Sequence, residues 1–278
     1  MAMWFDEEFE NRVRVGFRVE EYIFRDKSDF QTVDIFDTVC FGRTLALDGV
    51  YQTSIGDEYL YHEMLVHQAM TTAPSIKNVL IIGGGDGGTA REVLSYPEVE
   101  KCTMVELDKL VVKACQEHMQ DMQVPWDDPR LELHFDDGCK FVADSDELYD
   151  VILVDGPDPV GPAAVLYTNS FYASCRDHLT PQGVLSAQVE APQLMEAEFT
   201  RIMKTLKNEF PYAEPYFGPV PIYVCGSWAY AYCTKDGQRF PLREDRCVFT
   251  EARARYWNRD IHQACFVQSN RMRALMSS

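Results

Sequence analysis

The sequence predicts an α/β fold: a Rossmann-like, mostly parallel sheet with helices on both faces, behind a small N-terminal antiparallel β unit. Three observations carry this. The stretch Asn-Val-Leu-Ile-Ile-Gly-Gly-Gly-Asp-Gly-Gly at 78–88 runs an apolar strand straight into a glycine cluster, and Thr89-Ala90-Arg91-Glu92-Val93-Leu94 resumes as helix. A buried parallel strand feeding a glycine turn and a helix N-terminus is the opening unit of a nucleotide-binding sheet. From there strand and helix patterns alternate to about residue 233, which implies a parallel sheet covered on both sides. Before it, residues 1–56 alternate with the period of two of half-buried strands.

In order, 12–19, 30–36 and 43–47 read as strands, and Asp48-Gly49 is a hairpin-type turn into Val50-Tyr51-Gln52. Residues 57–69 carry helical spacing through Leu60, Met64, Leu65 and Val66, with Tyr61-His62-Glu63 inside. The polar stretch 71–75, with Pro74, marks a junction. The expected division is therefore 1–75, a β domain plus linking helix, and 76–278, the Rossmann-like domain. Within the latter, strands are expected at 102–105, 131–135, 149–154, 183–189, 213–217 and 229–233. Helices are expected at 110–119, 171–179 and 196–210.

Composition narrows the function. The formal net charge of −18 makes nucleic acid an improbable partner. It suits solubility, or the focusing of a cationic substrate into a cleft. No run of about 18 apolar residues exists to span a membrane, and the acidic start lacks the layout of a signal peptide. The nine cysteines are scattered without a C-x-x-C pair, so no zinc or other metal site and no disulfide framework is indicated, and a reducing cytoplasm is the simplest compartment.

Gly83-x-Gly85-x-x-Gly88 matches the dinucleotide fingerprint, a weak signal by itself whose plain alternative is a tight turn with no ligand. Asp86 sits inside it. A pyrophosphate about 4 Å from this carboxylate would cost roughly 4 kcal/mol at an effective dielectric of 20, which argues for a ligand that is cationic here. Four successive strands deliver acids at their C-terminal ends: Asp86, Glu106, Asp137 and Asp155. Singly, each would be a helix cap or turn residue. Together they line the edge where such sheets bind ligands. Glu106 lies where an acid meets ribose hydroxyls, and Asp137-Gly138 where an adenine amino group would fall, so the pair indicates adenosine. The loop Asp155-Gly156-Pro157-Asp158-Pro159-Val160-Gly161-Pro162 adds two carboxylates three residues apart between prolines, a rigid surface turn or an acidic clamp for an ammonium.

These pieces, in this order, resemble the polyamine aminopropyltransferases of the spermidine synthase family over almost the whole chain. The resemblance rests on Leu47-Asp48-Gly49-Val50-Tyr51-Gln52-Thr53, Tyr61-His62-Glu63-Met64, the 83–88 turn, Val105-Glu106-Leu107-Asp108, the 155–162 loop and Pro221-Ile222-Tyr223. It implies a methyltransferase-type sheet, a homodimer or homotetramer, and transfer of the aminopropyl group of decarboxylated S-adenosylmethionine (a co-substrate, with no cofactor) to an amine such as putrescine, releasing methylthioadenosine. By the same resemblance Gln31, Gly83, Gly85, Glu106, Asp137, Gly138 and Pro162 would bind the donor. His62, Asp86, Asp158 and Tyr223 would line the amine path, and Asp155 would be the base. Two departures fall around the acceptor: Gly156-Pro157 stands where the family has a small polar pair, and Ile222 and Val224-Cys225 interrupt its Pro-Thr-Tyr-Pro-Ser-Gly. The rival readings are a small-molecule methyltransferase using S-adenosylmethionine on the same fold, and a non-catalytic nucleoside-binding homologue. Mechanistically, a sulfonium needs mainly alignment, whereas the attacking ammonium must lose a proton to a carboxylate whose enclosure narrows the gap between their pKa values. A loop at 156–167 closing over the site would supply the enclosure.

Overall fold

The computed structural model describes residues 2–159 and 161–277, with the side chains of 161 and 162 outside the description. Five strands, β1 (Met3–Phe9), β2 (Val13–Lys27), β3 (Thr32–Thr38), β4 (Gly42–Leu47) and β5 (Val50–Ser54), form an antiparallel meander. The β4–β5 turn is as the sequence suggests: Asp48 and Gly49 both take positive φ, 48° and 87°, as a two-residue hairpin loop requires.

The second sheet has seven strands in the order β11-β12-β10-β9-β6-β7-β8. Its parallel part comprises β6 (Asn78–Gly83), β7 (Lys101–Glu106), β8 (Leu131–Phe135), β9 (Tyr149–Asp155) and β10 (Leu179–Gln188). The hairpin β11 (Tyr212–Pro219) and β12 (Ser227–Thr234) joins β10 antiparallel. The apolar run of β6 explains its central place. Val79 and Ile81 pack on one face with Met64 and Val93, while Leu80 and Ile82 pack on the other with Phe171 and Phe199. The chain winds outward from β6 through β7 to β8 and then returns to β9 on the other side of β6. Gly83 is in register with Asp155 at that reversal, the place where open α/β sheets take ligands.

On the first face lie α1 (Glu58–Met70), α2 (Gly88–Leu94) and α3 (Lys109–His118). On the second lie α4 (Gly138–Asp144), α5 (Asn169–Asp177) and α6 (Glu196–Glu209). The expected helix at 171–179 sits at 169–177 instead, because Thr168 caps it through the Phe171 N–H. Pro181 cannot continue a helix, so Leu179 opens β10. Helix α4 and the C-terminal α7 (Glu244–Glu251), α8 (Arg259–Ala264) and α9 (Asn270–Ser277) were not announced by periodicity.

Helix α1 is buried on every side but Tyr59, and residues 71–73, expected as a polar junction, are fully buried. The helix packs on α2 and on β9 to β12, so it lies against the second sheet although the expected boundary groups it with the first. A helix buried all round must pair its polar side chains, and Glu63 does so by accepting the backbone N–H groups of Arg255 (2.7 Å), Tyr256 (2.8 Å) and Trp257 (2.7 Å). Glu63→Ala would leave three donors without their partner, the Trp257 N–H buried and the other two partly so, and free the 255–257 segment. We expect it to lower unfolding stability by about 2 to 4 kcal/mol, read as a fall in the urea midpoint. An unchanged midpoint would contradict the anchoring role.

Candidate active site

The glycine turn is shaped by its neighbours. Gly83 has φ +84°, and a Cβ there would lie 2.1 Å from the Asp155 carbonyl oxygen. A Cβ on Gly88 would lie 2.2 Å from Cε1 of His62. The glycines thus let β6 close against the end of β9 and let α2 start against α1. Asp86, at the crest, accepts the Gly88 N–H on Oδ1 at 2.8 Å and turns Oδ2 to within 3.4 Å of His62 Nε2. The other ring nitrogen of His62, Nδ1, lies 2.7 Å from Glu58 Oε2. With a carboxylate at each nitrogen, both must donate, and the ring is an imidazolium. Burial opposes this charge, but Asp86 and Glu58 outweigh it and hold the His62 pKa well above its ordinary value.

Asp155 ends β9 with both carboxylate oxygens engaged. Oδ1 accepts the Tyr61 hydroxyl at 2.7 Å and Oδ2 the Thr89 hydroxyl at 2.6 Å. Burial, and after it the nearby Asp86 charge, raise its pKa against the lowering effect of His62 and the two hydroxyls. Tyr223 donates to the Gln52 carbonyl at 2.8 Å, its ring 4.6 Å from Trp228. Its loop is held by Asp57, which accepts the Ile222 N–H at 2.8 Å.

Three adjoining cavities share Gln52 and Pro157 in their walls. The largest, about 450 Å³, is lined by Gln31, Gly83, Glu106, Asp137, Gly138 and Asp158 among apolar groups such as Ile82, Val105 and Leu166. A second gathers Gln31, His62, Gly85, Asp86, Glu106, Asp155 and Tyr223. A third holds Glu7, Tyr61, Asp158, Gln188, Tyr223 and Trp228. The structure thus assembles every expected site residue at one cleft except Pro162, whose side chain lies outside the described residues. The loop aspartates, expected as one clamp, are not a pair: Asp155 faces the cavity of Asp86, and Asp158 the two beside it.

Several of these acids also serve the backbone. Asp137 caps α4 by accepting the Cys139 and Lys140 N–H groups on Oδ1, which is the structural role weighed for a lone acid. Gln31 donates to Asp108 Oδ2 at 3.0 Å, and Asp108 caps α3. Glu106 accepts the Asp108 N–H at 2.8 Å, yet burial pushes its pKa up to about 7.

Sequence reasoning passed over Glu7 and Glu190. Glu7, on β1, is 5% exposed, accepts the Tyr51 N–H at 2.9 Å, and has its pKa pushed up to about 7, mainly by burial. Glu190 is 1% exposed, takes φ +73°, and is raised well above the usual range, by burial first and by Asp158 second. Burial likewise raises Asp158 to about 6. Among the described residues, no group hydrogen-bonds the Asp158 carboxylate, and no cluster suited to a metal ion is found. The one signal for Glu7 was its period-two place between Phe5 and Phe9 on the inner face of β1.

Comparison with known proteins places the whole chain in one family and fold. Residues 58–243 match the model of the spermine/spermidine synthase domain, and 3–54 that of the spermidine synthase tetramerisation domain. The chain is 38% identical to a polyamine aminopropyltransferase of Clostridium perfringens (strain SM101 / Type A) over 280 residues, covering 100% of this chain and 99% of the relative. It is 40% identical to that of Clostridioides difficile (strain 630) over 273 residues, 96% of each. A crystal structure of spermidine synthase in complex with the transition state analogue AdoDATO superposes with a TM-score of 0.95 at 34% identity, over 99% of this chain and 95% of that one. Spermidine synthase from Thermotoga maritima gives 0.92 at 33%, over 99% and 94%.

The raised pKa of Glu106 fixes the sign of a pH effect. A carboxyl with a folded pKa near 7 against about 4.5 unfolded binds its proton more tightly in the native state, so its contribution is present below pH 4.5 and lost as pH rises through 7. Glu106→Gln carries no such charge. In the ligand-free protein we expect the variant to match the native urea midpoint near pH 5 and to exceed it increasingly toward pH 8. A pH-independent difference would contradict the shift.

Proposed function

The chain belongs to the spermine/spermidine synthase family and is a polyamine aminopropyltransferase; from that premise we propose that it transfers the aminopropyl group of decarboxylated S-adenosylmethionine to a diamine, putrescine, giving spermidine and methylthioadenosine. The observation that carries this reading is the charge of the cleft. Its described walls hold Glu7, Asp86, Glu106, Asp137, Asp155 and Asp158 and no lysine or arginine. Such a cleft rejects phosphates and carboxylates and draws in ammonium and sulfonium groups.

In this reading the adenosine occupies the largest cavity, with Glu106 on the ribose hydroxyls, Asp137-Gly138 at the adenine amino group and Gln31 and Pro162 beside them. The aminopropyl tail runs past Gly83 and Gly85 toward His62 and Asp86, and its terminal ammonium meets Asp86. His62 offsets part of the Asp86 charge, which tempers the discrimination against the carboxylate of intact S-adenosylmethionine. The acceptor lies between Tyr61 and Tyr223, its reacting nitrogen at Asp155 and its far ammonium among Asp158, Glu7 and Glu190. Acid at that far end favours a diamine over a monoamine.

The nitrogen lone pair attacks the methylene beside the sulfonium; the C–N bond forms, the C–S bond breaks, and its electrons stay on sulfur as a neutral thioether. Asp155 takes the ammonium proton, the raised pKa bringing acid and amine closer together. The Tyr61 and Thr89 hydroxyls aim its remaining lone pairs. The 3-10 helix Gly161–Tyr167 serves as the cover, with Ala163, Val165 and Leu166 over the nucleoside cavity. Its base is tied by the Tyr167 hydroxyl donating to the Pro157 carbonyl at 2.7 Å. We further read the chain as a cytoplasmic homo-oligomer assembled through residues 3–54, where Met3 and Trp4 expose apolar surface.

Incubation with the decarboxylated donor and putrescine, agmatine, cadaverine or spermidine should release methylthioadenosine, fastest with putrescine. S-adenosylhomocysteine from intact S-adenosylmethionine, or no product, would defeat the reading. The loop aspartates should separate kinetically. Asp155→Asn should cut turnover at saturating amine by roughly 10²-fold or more, whereas Asp158→Asn should chiefly raise the apparent KM for the amine, by about 10-fold. Equal losses of turnover with unchanged KM would contradict the division of roles.

A further inference from the structure

From Asp86 and His62 a chain of charged side chains runs back behind the cleft to Glu58 and Arg91, which the reaction scheme does not use. His62 stands between Asp86 and Glu58; Arg91, on α2, forks onto Glu58 with Nη1 3.0 Å from Oε1 and Nη2 2.7 Å from Oε2. The Arg91 guanidinium is itself fixed by the Met122 carbonyl at 2.9 Å and by Glu92 at 2.7 Å. Glu58 is 7% exposed at its side chain and His62 2%. We propose that Arg91 is a positioning residue for the aminopropyl transfer: acting through Glu58, it fixes His62 as a doubly donating imidazolium whose Nε2–H is aimed at Asp86, and so sets the direction and charge of that carboxylate. The proposal rests on the reading of Asp86 as the partner of the donor's ammonium.

A fork onto both oxygens prevents Glu58 from rotating, so Oε2 stays opposite His62 Nδ1. The same cation keeps Glu58 ionised although it is buried; burial favours the neutral acid, and His62 and Arg91 reverse it. Without Arg91, Glu58 would be a buried carboxylate facing one proton donor, and the proton would pass from His62 Nδ1 to Glu58. The neutral ring keeps its N–H on Nε2, still facing Asp86, but loses the charge that holds this buried carboxylate ionised, so Asp86 would shift toward its neutral form and draw an ammonium less strongly. The charged groups around the ring are Asp57 and Glu58 from its own helix, Asp86 from the turn after β6, Arg91 from α2 and Asp155 from the end of β9. Gly88 presses on the ring, which cannot swing to another partner.

The test reads the imidazole directly. The six histidines allow 15N resonances of His62 to be assigned by their loss in His62→Gln. In the ligand-free native protein at pH 8 both His62 nitrogens should be protonated. In Arg91→Met, His62 should lose its second proton at a lower pH than in the native protein. Donor kcat/KM should fall by about 10- to 100-fold, as for a lost charge-assisted hydrogen bond, with a new pH limb that follows the His62 resonances. Methylthioadenosine has no aminopropyl group, so its Kd should stay within about twofold, which a merely structural lesion would not allow. Glu58→Gln should behave as Arg91→Met does, and Arg91→Lys should recover much of the loss. If Arg91→Met does not fold, Glu58→Gln and the native spectrum carry the same test. A neutral His62 in the native protein at pH 8, or native kcat/KM and pH profile in Arg91→Met, overturns the proposal. If the His62 resonances shift as expected but Asp86→Asn keeps native donor kcat/KM, the reading of Asp86 fails and the Arg91–His62 coupling stands.

Discussion

The structure turns on a helix that should be hard to bury. Helix α1 is enclosed on nearly all sides yet carries Glu58, His62, Glu63 and His67. Each charge in such a place costs several kcal/mol unless a partner is fixed opposite it, so the helix can sit in only one position. Glu58 requires Arg91 on α2, His62 requires Asp86 in the glycine turn, and Glu63 requires the N–H groups of 255–257. His67 Nδ1 meets the Tyr96 hydroxyl at 2.9 Å. Asp57, just before the helix, holds the loop that carries Tyr223. One helix therefore registers the turn, the tyrosine loop and the C-terminal segment against each other. An apolar helix of the same shape could slide; this one cannot.

Two kinds of constraint act at the cleft. On the side read as the donor's, topology places the acids: parallel strands β6, β7, β8 and β9 end along one edge, where Asp86, Glu106 and Asp137 accept backbone N–H groups of the next turn and Asp155 accepts the Tyr61 and Thr89 hydroxyls. On the side read as the acceptor's, packing sets the walls: Tyr61, Tyr223 and Trp228 line it with Glu7 and Asp158, and Glu190 lies behind Asp158, the three acids coming from separate segments. The departures Gly156-Pro157 belong to the second kind. A Cβ on Gly156 would lie 2.9 Å from Cδ1 of Leu166, and the Gly156 carbonyl accepts from Gln188 at 3.1 Å, so a larger residue would make the Leu166 side chain shift over the cleft.

This difference explains how much was legible in the sequence. Period-two and period-3.6 patterns located the strands and the helices of the sheet layers because their burial is one-sided or complete in a regular way. The strand-end acids were legible because a parallel sheet fixes where strand ends go. Helix α4 escaped because only Val142 in it is fully buried, and α7 to α9 because helices this short carry too few periodic apolar residues. Glu7 and Glu190 escaped for a further reason. A local window can place Glu7 on the inner face of β1, but not say that this face meets a cavity whose other walls come from residues 50–61 and 156–228, and a glutamate at positive φ after β10 has no sequence signature. Contacts across 182 residues, such as Arg12 to the Leu194 carbonyl, lie beyond any pattern rule.

That Glu7 lies on β1 separates two lines of inheritance within one cleft. The groups assigned to the nucleoside stand on strand ends whose positions the whole sheet enforces, so substitutions there disturb the fold as well as the ligand. The end read as the far end of the amine path draws on the first strand of the N-terminal meander, which pairs only with β2. On the reading given above, a lineage can change the amine it uses by drift in β1 while the sulfonium chemistry stays under undiminished selection. Related chains with divergent acceptors should then differ most at their first strand and least along the edge of β6, β7 and β9.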